Sequence, residues 1–590
     1  MGGGSVVIPD SSNGIDYDVF NSTGMSILHD HSTGPGGVDT INSLTTNGNF
    51  NLTGGTLSGD ATTSAFTTTG TATLSLGGGT LRDFTVSGNA VNGTGSVTLD
   101  TDTFNSNLNL GGTTAFVLNS LTIGTGSAAV ITGAGILEAA NTSTLSGAVL
   151  FNDANGGNRL SVGNSATLTL ASGSLVHGIS GDIGQNSFTG GNGTLVNNGT
   201  ISSDGGGTIT LDGNLTGVQN NNGGVLQAKS STPPVTTPPT APVGSTLTLN
   251  TGVDNTAPTG GTAGTLNIAD TASTIFDNGQ TITGGTVTGA GSMTFSGSTA
   301  NVLNGVTFNG AGLSLTNGGV AFFTNALTLT NGSVATIASA GILEAGDNGT
   351  THADTLSGTV LFNDANGGNR LSVGNSATLT LASGSLVHGI SGDIGQNSFT
   401  GGNGILVNNG TIASDGGGTI SVDSNLSSFT SNGALVAKNG STLTSNVNVT
   451  GTGTVSALDT STVNLNAGSA LNQTGGTSQV DGTANLNGTF TLTSGTLNGT
   501  GTLTNTNVVN NGGTVKPGDP PGTLTISGTY AQNNGTLNIE FNNATHSLLA
   551  VGGTATTGGT VNFSFLDKTV NPSVVGETFD FLTSAVSAPR

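Results

Sequence analysis

Apolar and polar residues alternate along most of this chain in short runs of period two. Residues 166–170 read ATLTL, residues 207–213 GTITLDG and residues 96–100 SVTLD. In such a run Leu168 and Leu170 face one side while Thr167 and Thr169 face the other, which predicts half-buried β-strands of about four to six residues. NG, GG, SG and TG pairs lie between the runs, and these residues turn a chain at low steric cost. Helix signals are nearly missing, because charged helix formers are scarce and Gly, Asn and Thr dominate.

A long self-copy organises the pattern. Residues 145–212, beginning LSGAVLFNDANGGNRLSVGNSATLTLASGSLVHG, return as residues 356–423. The copies differ only at Ala148/Thr359, Thr194/Ile405, Ser202/Ala413, Thr210/Ser421 and Leu211/Val422, each a swap between small or β-branched residues or close apolar ones. More loosely, residues 112–127 return as 318–333, and GILEA at 135–139 returns at 341–345. Between GILEA and LSG the second copy carries extra residues in GDNGTTHADT. An insertion at one point of a repeat sits on a loop, which predicts Asp347, His352 and Asp354 at the surface.

Short strands without hairpin regularity, repeated over some 400 residues without a break, favour stacked coils over a sandwich or barrel. The predicted fold is all-β, a right-handed parallel β-helix (β-solenoid), because parallel crossovers are overwhelmingly right-handed. With roughly 20 residues per coil and ~4.8 Å between coils, the chain makes a rod of ~100 Å or more. Ladders of Leu, Val, Ile and Phe would form its core, with Asn stacked on Asn at the turns. Residues 1–43, irregular and containing HDH at 29–31 with Asp16, Asp18, Asp30 and Asp39, are read as an N-terminal cap. Residues 44–230 form a first β-helix arm and 245–514 a second. Between them, 231–244 (STPPVTTPPTAPVG) hold five of the chain's 13 prolines and read as a semi-rigid linker or an excursion between the two arms. Residues 515–590 form the C-terminal end.

Composition narrows the function classes. Of 590 residues 102 are Gly, charged residues are only 7%, and the net charge is −23 with eight Lys and Arg. Nucleic-acid binding needs basic clusters that neutralise phosphate, and no such cluster exists. An acidic membrane surface would repel the chain, and no apolar run approaches the ~20 residues of a membrane helix. There is no Cys, hence no disulfide and no thiolate metal site. The first residues, MGGGSVVIPDSS, lack the basic and apolar regions of a signal peptide.

The tail carries a more specific signal. Its matches are Pro517, Gly518, Pro521, Gly522, Leu524 and Ile526, then Tyr530 and Gln532, then Leu537, Ile539 and Glu540, then Val551, Gly553 and Ala555, and last Gly576, Phe579 and Leu582. In order and spacing this resembles the C-terminal end of autotransporter passenger domains, over about the last eighty residues. The rest of the chain is similar in composition to such passengers and to filamentous-haemagglutinin-type adhesins. Two departures stand out. His546 and Ser547 occupy the place where the family has an Asp, and no membrane-barrel strand pattern follows. The resemblance implies an exported β-helix whose tail is its most stable part and helps the passenger fold outside the cell.

Candidate chemistry is sparse. FNDANGGNRL, at 151–160 and 362–371, gathers Asp153, Asn155 and Asn158, and in the second copy Asp364, Asn366 and Asn369. Oxygen ligands at alternate positions of a Gly-containing loop are a candidate calcium site; the competing reading is an Asx-rich turn with Arg159 or Arg370 paired to the nearby Asp. His29 and His31 with Asp39 are a candidate transition-metal set, against plain solvated polar surface. His177 and His388 read as coil-edge residues. SSDGGGTI at 202–209 reads as a tight turn. Neither G-x-S-x-G nor H-E-x-x-H occurs, and the acids are scattered rather than clustered as a polysaccharide-cleaving groove requires.

The leading expectation is a non-catalytic bacterial cell-surface or secreted adhesin of the passenger type, extracellular and without a cofactor. Its polar faces would meet host or surface glycans, or like rods, through many weak contacts. The alternative is a structural subunit of an extracellular filament or sheath; a polysaccharide-active enzyme comes third.

Overall fold

The structure is a computed structural model that describes residues 18–22, 24–30, 37–60, 64–154, 157–184, 192–231, 242–346, 352–365, 367–395, 403–518, 521–542, 545–566 and 578–587. The protein is all-β: parallel strands stack in about 22 turns as a β-solenoid. The chain divides into two compact units, Met1–Thr294 with Asn309–Ala311, and Phe295–Phe308 with Gly312–Arg590.

The first copy of the duplicated block shows how one turn is built. Strand Ser143–Ser146 pairs with Thr167–Leu170, which pairs with Gly193–Asn197. Ala148–Phe151 pairs with Leu175–Gly178 and then with Thr200–Ser203. Arg159–Val162 pairs with Gly181–Ile183 and then with Thr208–Leu211. These three parallel ladders are the first, second and third faces. Gly178 makes one corner at φ 135°, where a Cβ would lie 2.1 Å from the Phe151 carbonyl oxygen. Only glycine fits such an approach, and Gly389 repeats it in the second copy.

Alternation then sorts the side chains as the period-two pattern predicts. Leu168, Leu195, Val218, Val253 and Ile282 stand one above the next on the inner side of the first face, and all are buried. Each such side chain removed from water contributes about 1.5–3 kcal/mol. Phe50, Phe66 and Phe84 stack edge to face, with centroids 5.1 and 6.1 Å apart. A corner amide ladder is also buried: Asn197 Nδ2 donates to Asn220 Oδ1, and Asn220 Nδ2 to Asn255 Oδ1, both at 2.8 Å.

The strand pairing crosses two of the expected domain boundaries. The stack already includes strands inside the expected cap, since Asp18–Asn21 pairs with Ser43–Thr46 and Val38–Ile41 with Phe50–Gly59. Most of the proline-rich segment lies outside the described residues. The strands before and after it pair directly, Thr208–Leu211 with Thr246–Leu249 and Val225–Ala228 with Thr265–Ile268. The stack therefore continues from the strands before the segment to those after it within the first unit.

Candidate functional site

The residues expected to hold calcium sit at the corner between the second and third faces. Asp153 is half-buried, and its Oδ2 accepts the Gly133 N–H at 2.9 Å. Asp364 does the same for the Ser339 N–H at 2.9 Å. Asn158 and Asn369 are fully buried. Their Nδ2 atoms donate to the carbonyls of Ser180 and Ser391 at 3.3 and 3.2 Å, and Asn369 Oδ1 accepts the Ala340 N–H at 3.2 Å. Asn158 Oδ1 is buried without a hydrogen-bond partner among the described residues. Asn155 and Asn366 lie outside the described residues. The four described side chains thus tie one turn to the next. No cluster of three or more His, Asp or Glu with metal-binding geometry occurs among the described residues.

The inserted residues behave differently from expectation. Asp354 is buried, at 1% exposure, and accepts the Asn325 N–H at 2.7 Å. It belongs to the strand Ala353–Ser357 and takes the place that Ser143 holds in the first copy. The insertion lengthens the loop before this strand, so its last residues enter the ladder. His352 is half-buried, and Asp347 lies outside the described residues.

A second group of residues, not singled out by motif, gathers on the third face. Phe116, Glu138 and Ser161 follow one another in register on successive turns, and Glu138 and Ser161 are buried although alternation points them outward. Arg159 aligns with Asp182 on the next turn, and Asp182 with Thr210. Burial and the nearby Asp212 carboxylate push the Asp182 carboxyl up, while the Arg159 guanidinium pulls it down. The second copy repeats this with Glu344, Arg370, Asp393 and Asp423. There burial and Asp423 raise the Asp393 carboxyl and Arg370 lowers it. Only register reveals this group, because its members are some 20 residues apart in sequence.

Each copy also holds a histidine–carboxylate pair on the second face. His177 Nδ1 lies 3.3 Å from Asp204, and His388 Nδ1 lies 3.1 Å from Asp415 Oδ2. In the second copy Lys438 Nζ stands 3.5 Å from the same Asp415 oxygen. Ser202 neighbours His177 in register, yet its hydroxyl pairs with Gln227 Oε1 at 3.0 Å, and Ala413 takes its place in the second copy. The serine is therefore not poised for attack with histidine as its base.

His29 of the HDH motif is not surface: it is 4% exposed, with Nε2 3.0 Å from Asp39 Oδ2 and Nδ1 2.9 Å from the Gly54 carbonyl. Both ring nitrogens are thus committed to protein, and His31 lies outside the described residues. In the tail, Tyr530 is buried and donates to Gln532 Oε1 at 2.9 Å, while Glu540 pairs with Lys516 at 3.1 Å. Burial raises the Tyr530 hydroxyl above its ordinary value.

Two open surface grooves complete the picture. One, of about 390 Å³ in the second unit, is lined by Asn409, Gly410, Asn432, Gly433, Thr452 and Gly476 among others. The other, of about 380 Å³ in the first unit, is lined by Thr194, Thr216, Gln219, Asp254 and Thr283 among others. The groove in the second unit offers mainly hydroxyls, amides and backbone, while Val218, Val253 and the Asp254 carboxylate also line the one in the first unit. No known protein family, curated protein or solved structure matches the chain.

Proposed function

We propose that this protein is a non-catalytic, extracellular adhesin of the bacterial passenger type, in which the solenoid presents polar side chains in repeating rows. One observation carries the reading: most substitutions between the copies fall on outward, partly exposed positions. Three of the five differing positions, at 148/359, 194/405 and 210/421, are outward and partly exposed; Ser202/Ala413 points outward but is buried, and Leu211/Val422 points inward. A scaffold kept constant beneath a changeable surface suits a protein that works by contact. The autotransporter-like tail motif, with Tyr530 and Gln532 buried in the stack, supports the same reading. Neutral hydroxyls and amides in rows favour glycans, through many weak contacts. The test is retention of the full chain on immobilised glycans and on cells. Specific retention lost on removing the surface sugars supports the proposal; no retention on any surface sinks it. Calcium at the 153–158 and 364–369 corners is a subordinate proposal, and an unchanged melting temperature on calcium titration removes it.

A filament or sheath subunit is the second reading, favoured by where large apolar side chains are exposed. Among the described residues these are Phe20, Met25 and Leu28 near one end of the chain, Phe563, Phe565, Leu566 and Phe579 near the other, and Val243. Regular polymers under the electron microscope would favour it over the adhesin.

A further inference from the structure

One stretch of the third face in the second unit carries two adjacent polar columns in register. Thr419, Thr442, Thr462, Thr483, Thr502 and Thr525 follow one another in register on six successive turns. Beside them runs a second column, Ser421, Thr444, Asn464, Asn485 and Thr504. All are outward-facing and at least partly exposed. The strand geometry sets the dimensions. Rungs repeat about every 4.8 Å along the stack, columns lie about 6.6 Å apart, and six rungs span about 24 Å.

Three further facts separate this array from an ordinary polar face. Its threonine and serine hydroxyls make no hydrogen bond to protein among the described residues. The Asn rail nearby is satisfied internally, Asn466 Nδ2 donating to Asn446 Oδ1 at 3.0 Å. The array contains no charged and no aromatic side chain. On the turns beside the array, Ala470 and Val509 interrupt the first face. The second face has its own threonine column, Thr477, Thr496, Thr514, Thr536 and Thr560, but the column next to it holds Gln479, Asn498 and the ion-paired Lys516.

We propose that this face binds the surface of ice. Hydroxyls held at fixed intervals on a hydrogen-bonded scaffold order water at those intervals without paying to immobilise flexible side chains. Each threonine also carries a methyl group beside its hydroxyl, and apolar groups restrict the orientations of adjoining water. Ordered water on a two-dimensional repeat can merge with a crystal face of water, and many weak contacts then act together. Competing partners fit less well. No charge is present to attract nucleic acid or an ionic polymer, no apolar patch to drive protein docking, and no aromatic ring on which a crystalline polysaccharide could stack.

The test is thermal hysteresis, ice shaping and recrystallisation inhibition by the full chain, compared with Thr462→Tyr/Thr483→Tyr at the centre of the array and Thr336→Tyr on the second face. Hysteresis in the parent, lost in the double variant and kept in Thr336→Tyr, is the expected result. Circular dichroism checks folding, and Thr462→Ser/Thr483→Ser, which removes only methyl groups, serves if the tyrosines do not fold; it should weaken the effect. Parent protein that neither shapes ice nor shows hysteresis overturns the proposal, as does hysteresis unchanged in both array variants. Sedimentation with crystalline cellulose and no ice shaping overturns it in favour of a polysaccharide surface.

Discussion

The two copies of the duplicated block are an experiment in context: one sequence, two sets of neighbours. In each, the three strands pair in the same register with the strands of the turns on either side. Each repeats the Gly178/Gly389 corner, the aligned arginine and aspartate, and the histidine–carboxylate pair. What changes is what lies beyond the block. Asn197 stacks on Asn220 in the first copy, while Asn408 meets Ser431 in the second. Lys438 joins Asp415, and Asp354 replaces Ser143. The inner geometry of a coil is therefore local to its own sequence, and the polar trimming at its margins is negotiated with the next turn.

The sharpest way to break that comparison is to empty the same core position twice. Phe151 and Phe362 are fully buried, and each ring fills the space left by a glycine, Gly181 or Gly392, whose Cβ would touch it. A scaffold held by ladders on three faces cannot collapse into the gap, so Phe151→Ala and Phe362→Ala should each cost about 3–5 kcal/mol. Hydrogen exchange resolved by segment should show matched losses. A large difference between the copies would mean that neighbouring turns, not the block itself, set the core.

The second prediction separates the units by pH. In the first unit burial pushes the Asp102 carboxyl up to about 8, against two backbone N–H donors from Phe84 and Asp100. It does the same to Asp277, which has one such donor, from Gln280. An acid whose folded pKa exceeds its unfolded value stabilises the fold fully below the unfolded pKa. That stability is lost as pH rises through the folded one. The strands around both residues should therefore weaken from about pH 4 to about pH 8, by a few kcal/mol in all. The duplicated block of the second unit should change less. Asp277→Asn should flatten the dependence near its strand, read as hydrogen exchange against pH. Asp102→Asn is the poorer variant, because its amide replaces one of two accepting oxygens. A flat profile in the parent protein would refute the assignment.

A smaller effect tests the margins. Asn220→Ser copies the second block's context into the first: the serine hydroxyl can accept from Asn197 as Ser431 accepts from Asn408, but the rung from Asn220 to Asn255 is lost. Leaving buried amides unpaired costs about 1–3 kcal/mol. The reverse change, Ser431→Asn, should gain nothing, because the next residue in register beyond Ser431 is Gly451, which offers no side-chain acceptor. Thermal unfolding of the two variants checks this, and equal effects would show the ladder to be neutral.

The same contrast explains what could be read in the sequence. The period-two runs, the turn pairs and the self-copy were enough for an all-β parallel stack, because they are local signals that recur each turn. The Glu138–Arg159–Asp182 group and the threonine columns were hidden. Their members touch only through register, and register depends on the length of every intervening turn. Asp354 was misplaced for a related reason: an insertion was expected to stay outside the coil, and its last residues became strand. His29 was assigned to the surface because a polar, irregular segment reads as loop, while Asp39 and the Gly54 carbonyl in fact enclose it.

The smallest effect concerns the lysine contact that distinguishes the histidine pairs; Lys229 holds the matching place in the first copy, its N–H bonding the Ser203 carbonyl as that of Lys438 bonds Ser414. Lys438 Nζ reaches Asp415 Oδ2 at 3.5 Å, and its side chain is 42% exposed. Water screens such a contact and the long side chain loses freedom in making it, so Lys438→Ala should cost no more than about 1 kcal/mol. His388→Ala should then cost about as much as His177→Ala, since both rings sit half-buried beside a single carboxylate. Segment-resolved hydrogen exchange at two salt concentrations separates the contributions. The lysine's share should shrink as salt rises, while the histidine–carboxylate contacts, closer and less exposed, should change less. If Lys438→Ala instead destabilises the second copy well beyond that limit, its contact with Asp415 organises the corner. The two blocks would then differ in their foundations and not only in their trimming.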